Sequence, residues 1–154
     1  MSELHYRLLN GLDWPSVQAL CAQEGGDHWS QPQWASSLSG DWVMGAFAGN
    51  SLVAVLVLQS GYLQAEVLNL LVDPQWRRRG IAQALLEQAR CQAQLWQAEK
   101  LLLELRYSNH AALNLYLKSG WRLDGRRRDY YPRLEGQGRE DAWLMSLPLA
   151  GQAE

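Results

Sequence analysis

Glu104 interrupts an otherwise apolar run, Leu101-Leu102-Leu103-Glu104-Leu105. A carboxylate inside a central strand is costly to desolvate unless it is paired or opens into a cleft. Desolvation also raises a carboxyl pKa toward the range useful to a general base. The alternative is a strand-end Glu paired with Arg106 on the same face. Asn109 and Tyr116 stand seven residues apart on one expected helix. Seven steps at 3.6 residues per turn return to nearly the same face, displaced by roughly 10 Å. A ligand lying along that face meets the amide first and the phenol two turns later, and the phenol can protonate a leaving group. An N-cap Asn and a core-rim Tyr explain the same pair without chemistry.

A second group of residues suits anion binding. The apolar run Val67 to Val72 ends at Asp73-Pro74, a turn dipeptide that cannot continue a strand ladder. Three arginines, Arg77, Arg78 and Arg79, then lead through Gly80 into a helical pattern that starts Ile81-Ala82-Gln83. A helix start presents unpaired N–H groups and partial positive charge, so it favours a phosphate. Gly80 lets the backbone approach an anion where a Cβ would intrude. Solvated arginines on an ordinary strand-to-helix turn are the plainer reading.

Arg127-Arg128-Asp129-Tyr130-Tyr131-Pro132 alternates charge with aromatic rings before a loop. It can line a groove for a peptide, or be a solvated edge strand whose charges discourage sheet-to-sheet pairing. Trp29, ahead of a capping box, can rim a cleft or pin the helix entry. His5, His28 and His110 are scattered, and Cys21 and Cys91 lack metal-ligand spacing, so no metal is expected. The two cysteines read as buried free thiols of a reducing cytoplasm.

Positioning these groups takes one domain, residues 1–154, with 47% hydrophobic residues to fill one core. The net charge of -2 argues against a nucleic-acid binder, and the local arginine clusters suit a compact polyanion. No signal peptide and no apolar run of membrane-spanning length is read, which implies a cytoplasmic protein without membrane contact.

Tyr6 to Leu9 reads as the first strand, and Asp13 as the cap of a helix with Pro15 in its first turn. Ser30-Gln31-Pro32-Gln33 fits a capping box for a second helix. Trp42–Ala48 and Ser51–Gln59 form a hairpin through Gly49-Asn50. A third strand, about Leu63 to Val72, precedes the helix Gly80 to Trp96. That helix keeps Ile81, Ala84, Leu85, Ala89, Leu95 and Trp96 at mostly helical spacing. Leu101 to Tyr107 reads as a central strand buried on both faces. Ser108 or Asn109 caps a short helix stopped by Ser119-Gly120. Trp121–Tyr131 and Asp141–Leu147 are the last strands. The order β-α-α-β-β-β-α-β-α-β-β is an α/β (α+β) arrangement, a mixed sheet flanked by helices.

Arg77-x-x-Gly80-x-Ala82 after Leu70-Leu71-Val72 resembles the acetyl-coenzyme A signature of the GNAT N-acetyltransferase family: Gln or Arg, two residues, Gly, one residue, then Gly or Ala. The buried strand and the Ser108-Asn109 helix follow in that family's order. Trp29-Ser30, Asn69 to Ala82, Leu103 to Tyr116, Gly120-Trp121, Arg127 to Pro132 and Arg139 to Ala142 further resemble the subfamily that acetylates the N-terminal alanine of small-subunit ribosomal protein eighteen. The likeness covers nearly the whole chain. It implies the GNAT fold, acetyl-CoA as co-substrate, no metal, and the N-terminal segment of that ribosomal protein as partner of a monomeric enzyme.

By position, the resemblance puts the general base on Glu104 and the general acid on Tyr116. It lays the pantetheine along Leu70, Leu71 and Val72, where that strand is expected to diverge from the strand of Glu104. The pyrophosphate falls to Arg77, Arg78, Arg79, Gly80, Ile81, Ala82 and Gln83, with Asn109 contacting the cofactor further along. Trp29, Arg128, Tyr130 and Tyr131 fall on the acceptor side. Asp129 stands where the subfamily often has Asn, and His28 where it usually has Pro; both departures bear on the acceptor. The rival readings are the same chemistry on another protein N-terminus, a lysine or a small amine; an acetyl-CoA-binding module without turnover; and an RNA binder with salt-sensitive affinity.

Overall fold

Local signals set most of the element boundaries in the computed structural model, which describes residues 3–26 and 28–149. Its strands are β1 (Leu4–Leu8), β2 (Trp42–Ala48), β3 (Ser51–Ser60), β4 (Gln64–Val72), β5 (Lys100–Arg106), β6 (Arg122–Pro132) and β7 (Arg139–Pro148). The helices are α1 (Trp14–Glu24), α2 (Gln31–Gly40), α3 (Ile81–Leu95) and α4 (His110–Lys118). The strands form one mixed sheet in the order β1-β2-β3-β4-β5-β7-β6. Contacts cluster the chain into two compact units: residues 1–60 with 67–92, and residues 61–66 with 93–154.

In the first unit, Gly49 adopts φ 61° in the turn that joins β2 to β3, as the Gly-Asn dipeptide requires. The strands pair antiparallel with a bulge at Ala46/Phe47. Strand β3 is buried from Leu52 to Leu58, on both faces. Val55 and Val57 meet Val17 and Leu20 of α1 and Trp34 and Leu38 of α2 in one core, against which Trp29, Leu68 and Leu71 pack. The expected capping box of α2 forms: Gln33 N–H donates to Ser30 Oγ and Ser30 N–H to Gln33 Oε1. Asp13 does not cap α1. Its carboxylate pairs with Arg7 at 2.8 Å and accepts from Asn10 N–H at 2.9 Å, closing a capping box on a 3-10 turn, Gly11–Asp13, that the sequence pattern hid.

In the second unit, β5 and β6 both pair antiparallel with β7. Strand β5 alternates: Leu101, Leu103 and Leu105 are buried, while Leu102, Glu104 and Arg106 are half-buried. The expectation of burial on both faces therefore fails here and is met by β3 instead. The period of two sends Glu104 to the more open face, where its charge costs less. Asn109 caps α4, its Oδ1 accepting from Ala112 N–H at 3.2 Å. Gly120, at φ 95°, turns the chain out of that helix.

Two expectations for α3 are corrected. Leu95 is 77% exposed and Trp96 is on the surface, because the helix stops at Leu95 and Gln97 turns left-handed (φ 64°) beyond it. Cys91 is also exposed, with Glu87 at 3.8 Å, while Cys21 is half-buried; both are free thiols.

Candidate active site

Glu104 in the second unit gathers the groups that suit acid–base work. Its Oε1 accepts from Arg127 Nη1 at 3.0 Å. The Arg127 guanidinium lies over the Tyr130 ring, 4.3 Å from its centroid. Tyr130 meets Tyr131 edge-on at 4.8 Å. Burial, and then the facing Glu104 carboxylate, raise the phenol pKa of Tyr130; the same causes push Tyr131 up to about 12. Glu66 of β4 faces the cluster too. Its carboxyl is raised by burial first and by Glu104 second, with Arg127 opposing.

Strand β6 reaches this cluster by losing its register. The ladder to β7 slips between Leu123 and Gly125 and again between Arg127 and Tyr131. At the second slip Asp129 is left-handed (φ 51°), a conformation that Asp tolerates better than most residues. Its N–H donates to Asp141 Oδ1 at 2.9 Å. Arg139 clamps the same bend, donating to the carbonyls of Asp129 (3.0 Å) and Tyr130 (2.8 Å). A bulge re-aims side chains along a strand, and here the side chain that reaches Glu104 is Arg127. Arg128, expected on the acceptor side, is exposed.

Arg106 does not pair with Glu104. It donates to Glu140 Oε2 at 3.1 Å and to Pro132 O at 2.7 Å, with its guanidinium over the Tyr131 ring at 4.6 Å. Burial pushes the Glu140 carboxyl up, but hydrogen bonds from Ser108 and Arg106 outweigh it and leave the carboxyl below its usual range.

Tyr116 sits on α4, only 8% exposed, with its ring edge-on to Trp121 at 5.4 Å. Burial pushes its phenol up to about 12. Its ring contact is with Trp121. Asn109 commits its side-chain oxygen to the helix cap, which leaves its amide N–H groups to meet a ligand.

In the first unit, the expected anion turn has a defined geometry. A 3-10 turn, Pro74–Trp76, follows β4, with Asp73 Oδ1 accepting from Gln75 N–H at 2.9 Å. Arg78 (φ 63°) and Gly80 (φ 79°) are both left-handed. A Cβ at Gly80 would meet nothing within 4 Å, so open space adjoins the backbone there. The first bond of α3 runs from Ala84 N–H to Gly80 O at 3.0 Å. The amides of Ile81 and Ala82 precede it and have no acceptor within the helix. These features fit a diphosphate. The three arginines are not equivalent. Arg77 is held by Glu24 at 2.8 Å and by Val72 O at 3.3 Å, and Arg79 stacks over Trp76 at 4.5 Å and donates to Gln75 O. Arg78 is exposed and makes no such contact. Glu24 also lies 3.0 Å from His28 Nε2, at ion-pair distance without hydrogen-bond geometry. Trp29 packs at a tilt against Trp34, 5.0 Å between ring centroids, a packing role within its own unit.

The model of the acetyltransferase (GNAT) family matches residues 9–121. The chain belongs to that family. The [ribosomal protein bS18]-alanine N-acetyltransferase of Escherichia coli K12 is 34% identical over 123 residues, 79% of this chain and 82% of that protein. The crystal structure of the ribosomal-protein-S18-alanine N-acetyltransferase from Escherichia coli superposes with a TM-score of 0.87 at 30% identity, over 99% of each chain. A GNAT family acetyltransferase from Elizabethkingia anophelis with acetyl-CoA bound shares the fold at 20% identity (TM-score 0.78, over 95% of this chain and 98% of that one). This GNAT chain is thus an acyltransferase on a mixed seven-stranded sheet.

Among the described residues, no His, Cys, Asp or Glu cluster has the makings of a metal site, and no helix is long and apolar enough to cross a membrane. Sequence reading missed Glu66 and Arg127. The alternation Gln64-Ala65-Glu66-Val67 carried a signal for Glu66, since it places the polar residues on one strand face. For Arg127 no local pattern distinguished it from Arg126 or Arg128, because the bulge decides which of them points inward.

Proposed function

We propose that this GNAT enzyme transfers the acetyl group of acetyl-CoA to the α-amine of the N-terminal alanine of small-subunit ribosomal protein eighteen. What supports this reading is the 34% identity to the E. coli enzyme of that name over 79% of the chain, which the Glu104 cluster fits chemically. The same reading treats residues 1–154 as one monomeric cytoplasmic domain. The ribosomal protein's N-terminal segment is its partner, and neither nucleic acid nor membrane is bound.

Acetyl-CoA is the donor substrate. Main-chain groups of Leu70, Leu71 and Val72 hold its pantetheine as a strand holds a neighbour. The amides from Gly80 through Gln83 and the side chain of Arg78 take its pyrophosphate. Arg77 and Arg79 shape that turn through Glu24 and Trp76. Asn109 offers its amide further along. A backbone N–H at Leu71 or Val72 polarises the thioester carbonyl.

A peptide α-amine has a pKa of about 8, so a modest base removes its proton. Glu104 takes that proton, directly or through water. The amine nitrogen then attacks the thioester carbon; the C–N bond forms and the C–S bond breaks. Tyr116 acts as the acid toward the departing sulphur. With its phenol at about 12 it keeps its proton at every working pH. A thiol near pKa 8.5 is the stronger acid, so Tyr116 lends a hydrogen bond in the transition state, and outright transfer from it is uphill. At neutral pH the ammonium loses two protons over the cycle; one ends on the thiol and one in solution. Trp29, Arg128, Tyr130 and Tyr131 bind the first acceptor residues.

A second reading keeps the chemistry and changes the amine to another N-terminus, a lysine or a small molecule. Asp129 and His28, the two acceptor-side departures, favour it. Thiol release from acetyl-CoA decides, measured with short peptides that differ in their first residue and with a lysine peptide blocked at its N-terminus. An Ala-Arg N-terminus is expected to outpace the others by tenfold or more in kcat/KM. A flat response across the peptides transfers the assignment to the second reading. Acetyl-CoA binding without thiol release from any amine leaves only a carrier module.

A further inference from the structure

Glu104 and Glu66 share one guanidinium. The groups that face Glu104 are Glu66 from β4 and Arg127, Tyr130 and Tyr131 from β6. Strand β7 places Leu144 opposite Glu104 and adds no charge there. Arg106, two residues along β5, is committed to Glu140 and the Pro132 carbonyl. The cluster therefore holds two carboxyls against one cation, Arg127. It is one positive charge short of neutrality when both carboxyls ionise; burial first, and the Glu104 charge second, raise the Glu66 carboxyl.

Arg127 is also the most easily moved member. Its side chain is 53% exposed while that of Glu104 is 20% exposed. Its second hold is the Tyr130 ring face, which tolerates sliding because the attraction is to a face and not to a fixed lone pair. The left-handed Asp129 and the broken register lie immediately beyond it. By contrast, Arg106 is fixed from two directions.

A carboxylate paired with a guanidinium is a weaker base and a poorer seat for another cation. We infer that Arg127 is the resident counter-ion of the acceptor site: it holds Glu104 while no acceptor is bound and yields that position to the incoming α-ammonium. One cation exchanges for another between Glu66 and Glu104, and Arg127 remains stacked on Tyr130 during the exchange. Arg127 is thus a positioning residue that selects for a positively charged acceptor amine. Glu66 supplies the second carboxyl that makes the site attractive to the ammonium. This inference rests on the acetyl-transfer reading above.

The test uses the full chain, acetyl-CoA and the Ala-Arg peptide, with kcat and KM measured from pH 5 to 9 for wild type, Arg127→Gln, Arg127→Lys and Glu66→Gln. Removing the guanidinium lowers KM for the peptide by about threefold or more and leaves KM for acetyl-CoA unchanged, because the ammonium no longer has to displace a resident cation. Arg127→Lys restores most of the wild-type profile. Glu66→Gln raises KM for the peptide. Thermal unfolding confirms that each variant is folded. A profile for Arg127→Gln that superimposes on wild type overturns the inference while leaving acetyl transfer intact. So does a raised KM for the peptide, since Arg127 would then be an ordinary peptide contact. No thiol release by wild type with any amine sinks the acetyl-transfer reading, and this inference with it.

Discussion

Glu140 accepts from Ser108 N–H at 2.9 Å and from Arg106 at 3.1 Å, and is 8% exposed; Glu104 accepts from Arg127 at 3.0 Å and keeps an open side toward solvent. Both are glutamate–arginine pairs that cross between strands of the same unit. They differ in what their partners are free to do. Arg106 is also tied to the Pro132 carbonyl and stacked on Tyr131, so the Glu140 pair joins β5, β7 and the end of β6. Arg127 is half in water on a strand that has lost its register. A carboxylate whose lone pairs are all satisfied stabilises a fold and cannot accept a proton cheaply. One held by a half-exposed guanidinium and a phenol can exchange its donors. The two pairs differ more in the geometry around the arginine than in the burial of the acid.

The sharpest way to break the comparison is to neutralise each acid in turn. Glu104→Gln is expected to lower kcat by about 10- to 1000-fold, the range for a proton-transfer group, with thermal stability nearly unchanged. Tyr116→Phe falls in the same range of rate loss. If both variants kept full activity with unaltered pH dependence, the acid–base roles would be misplaced. Glu140→Ala should do the reverse. It leaves Arg106 and the Ser108 N–H without their buried acceptor and is expected to cost about 3 kcal/mol of stability in urea unfolding, with kcat changing little for the fraction that stays folded.

Its pH signature follows from the sign of the shift. The folded Glu140 carboxyl lies below its unfolded value near 4.3. Its contribution is therefore complete above that pH and is lost as pH falls through the folded value. Wild type should lose stability below about pH 4, and Glu140→Ala should lose correspondingly less.

What could be read from sequence was what is local. The hairpin at Gly49-Asn50, the Ser30–Gln33 capping box, the Asn109 cap and the turn after Val72 depend on a few adjacent residues, and each formed. Glu104 stood out because a charge in an apolar run has few explanations. Its partner was not legible: Arg127 lies 23 residues away, and two slips in β6 decide which of three consecutive arginines arrives. The nearer candidate, Arg106, is drawn instead to Glu140, which belongs to a third strand. The end of α3 misled for a related reason. Helical spacing carried Leu95 and Trp96 onto an apolar face, but the chain turns away at Gln97 before that face can be covered. Periodicity reports which way a side chain points and is silent on what stands opposite.

The finest test of the comparison concerns the bend that frees Arg127. Asp129 holds a left-handed conformation that a β-branched residue adopts only at a cost of about 1–2 kcal/mol. Asp129→Val should lose about that much stability, or else straighten the strand and restore register between Arg127 and Tyr131. Straightening would carry Arg127 off Glu104, lowering KM for the acceptor peptide while leaving that for acetyl-CoA unchanged. Asp129→Asn, equally at ease in the left-handed region, should leave stability within about 0.5 kcal/mol and KM for acetyl-CoA unaltered. Circular dichroism melts and the two KM values read the outcome. If Asp129→Val matched wild type in both, the bend would have no part in presenting Arg127, and the looseness of the Glu104 pair would have to come from its solvent exposure alone.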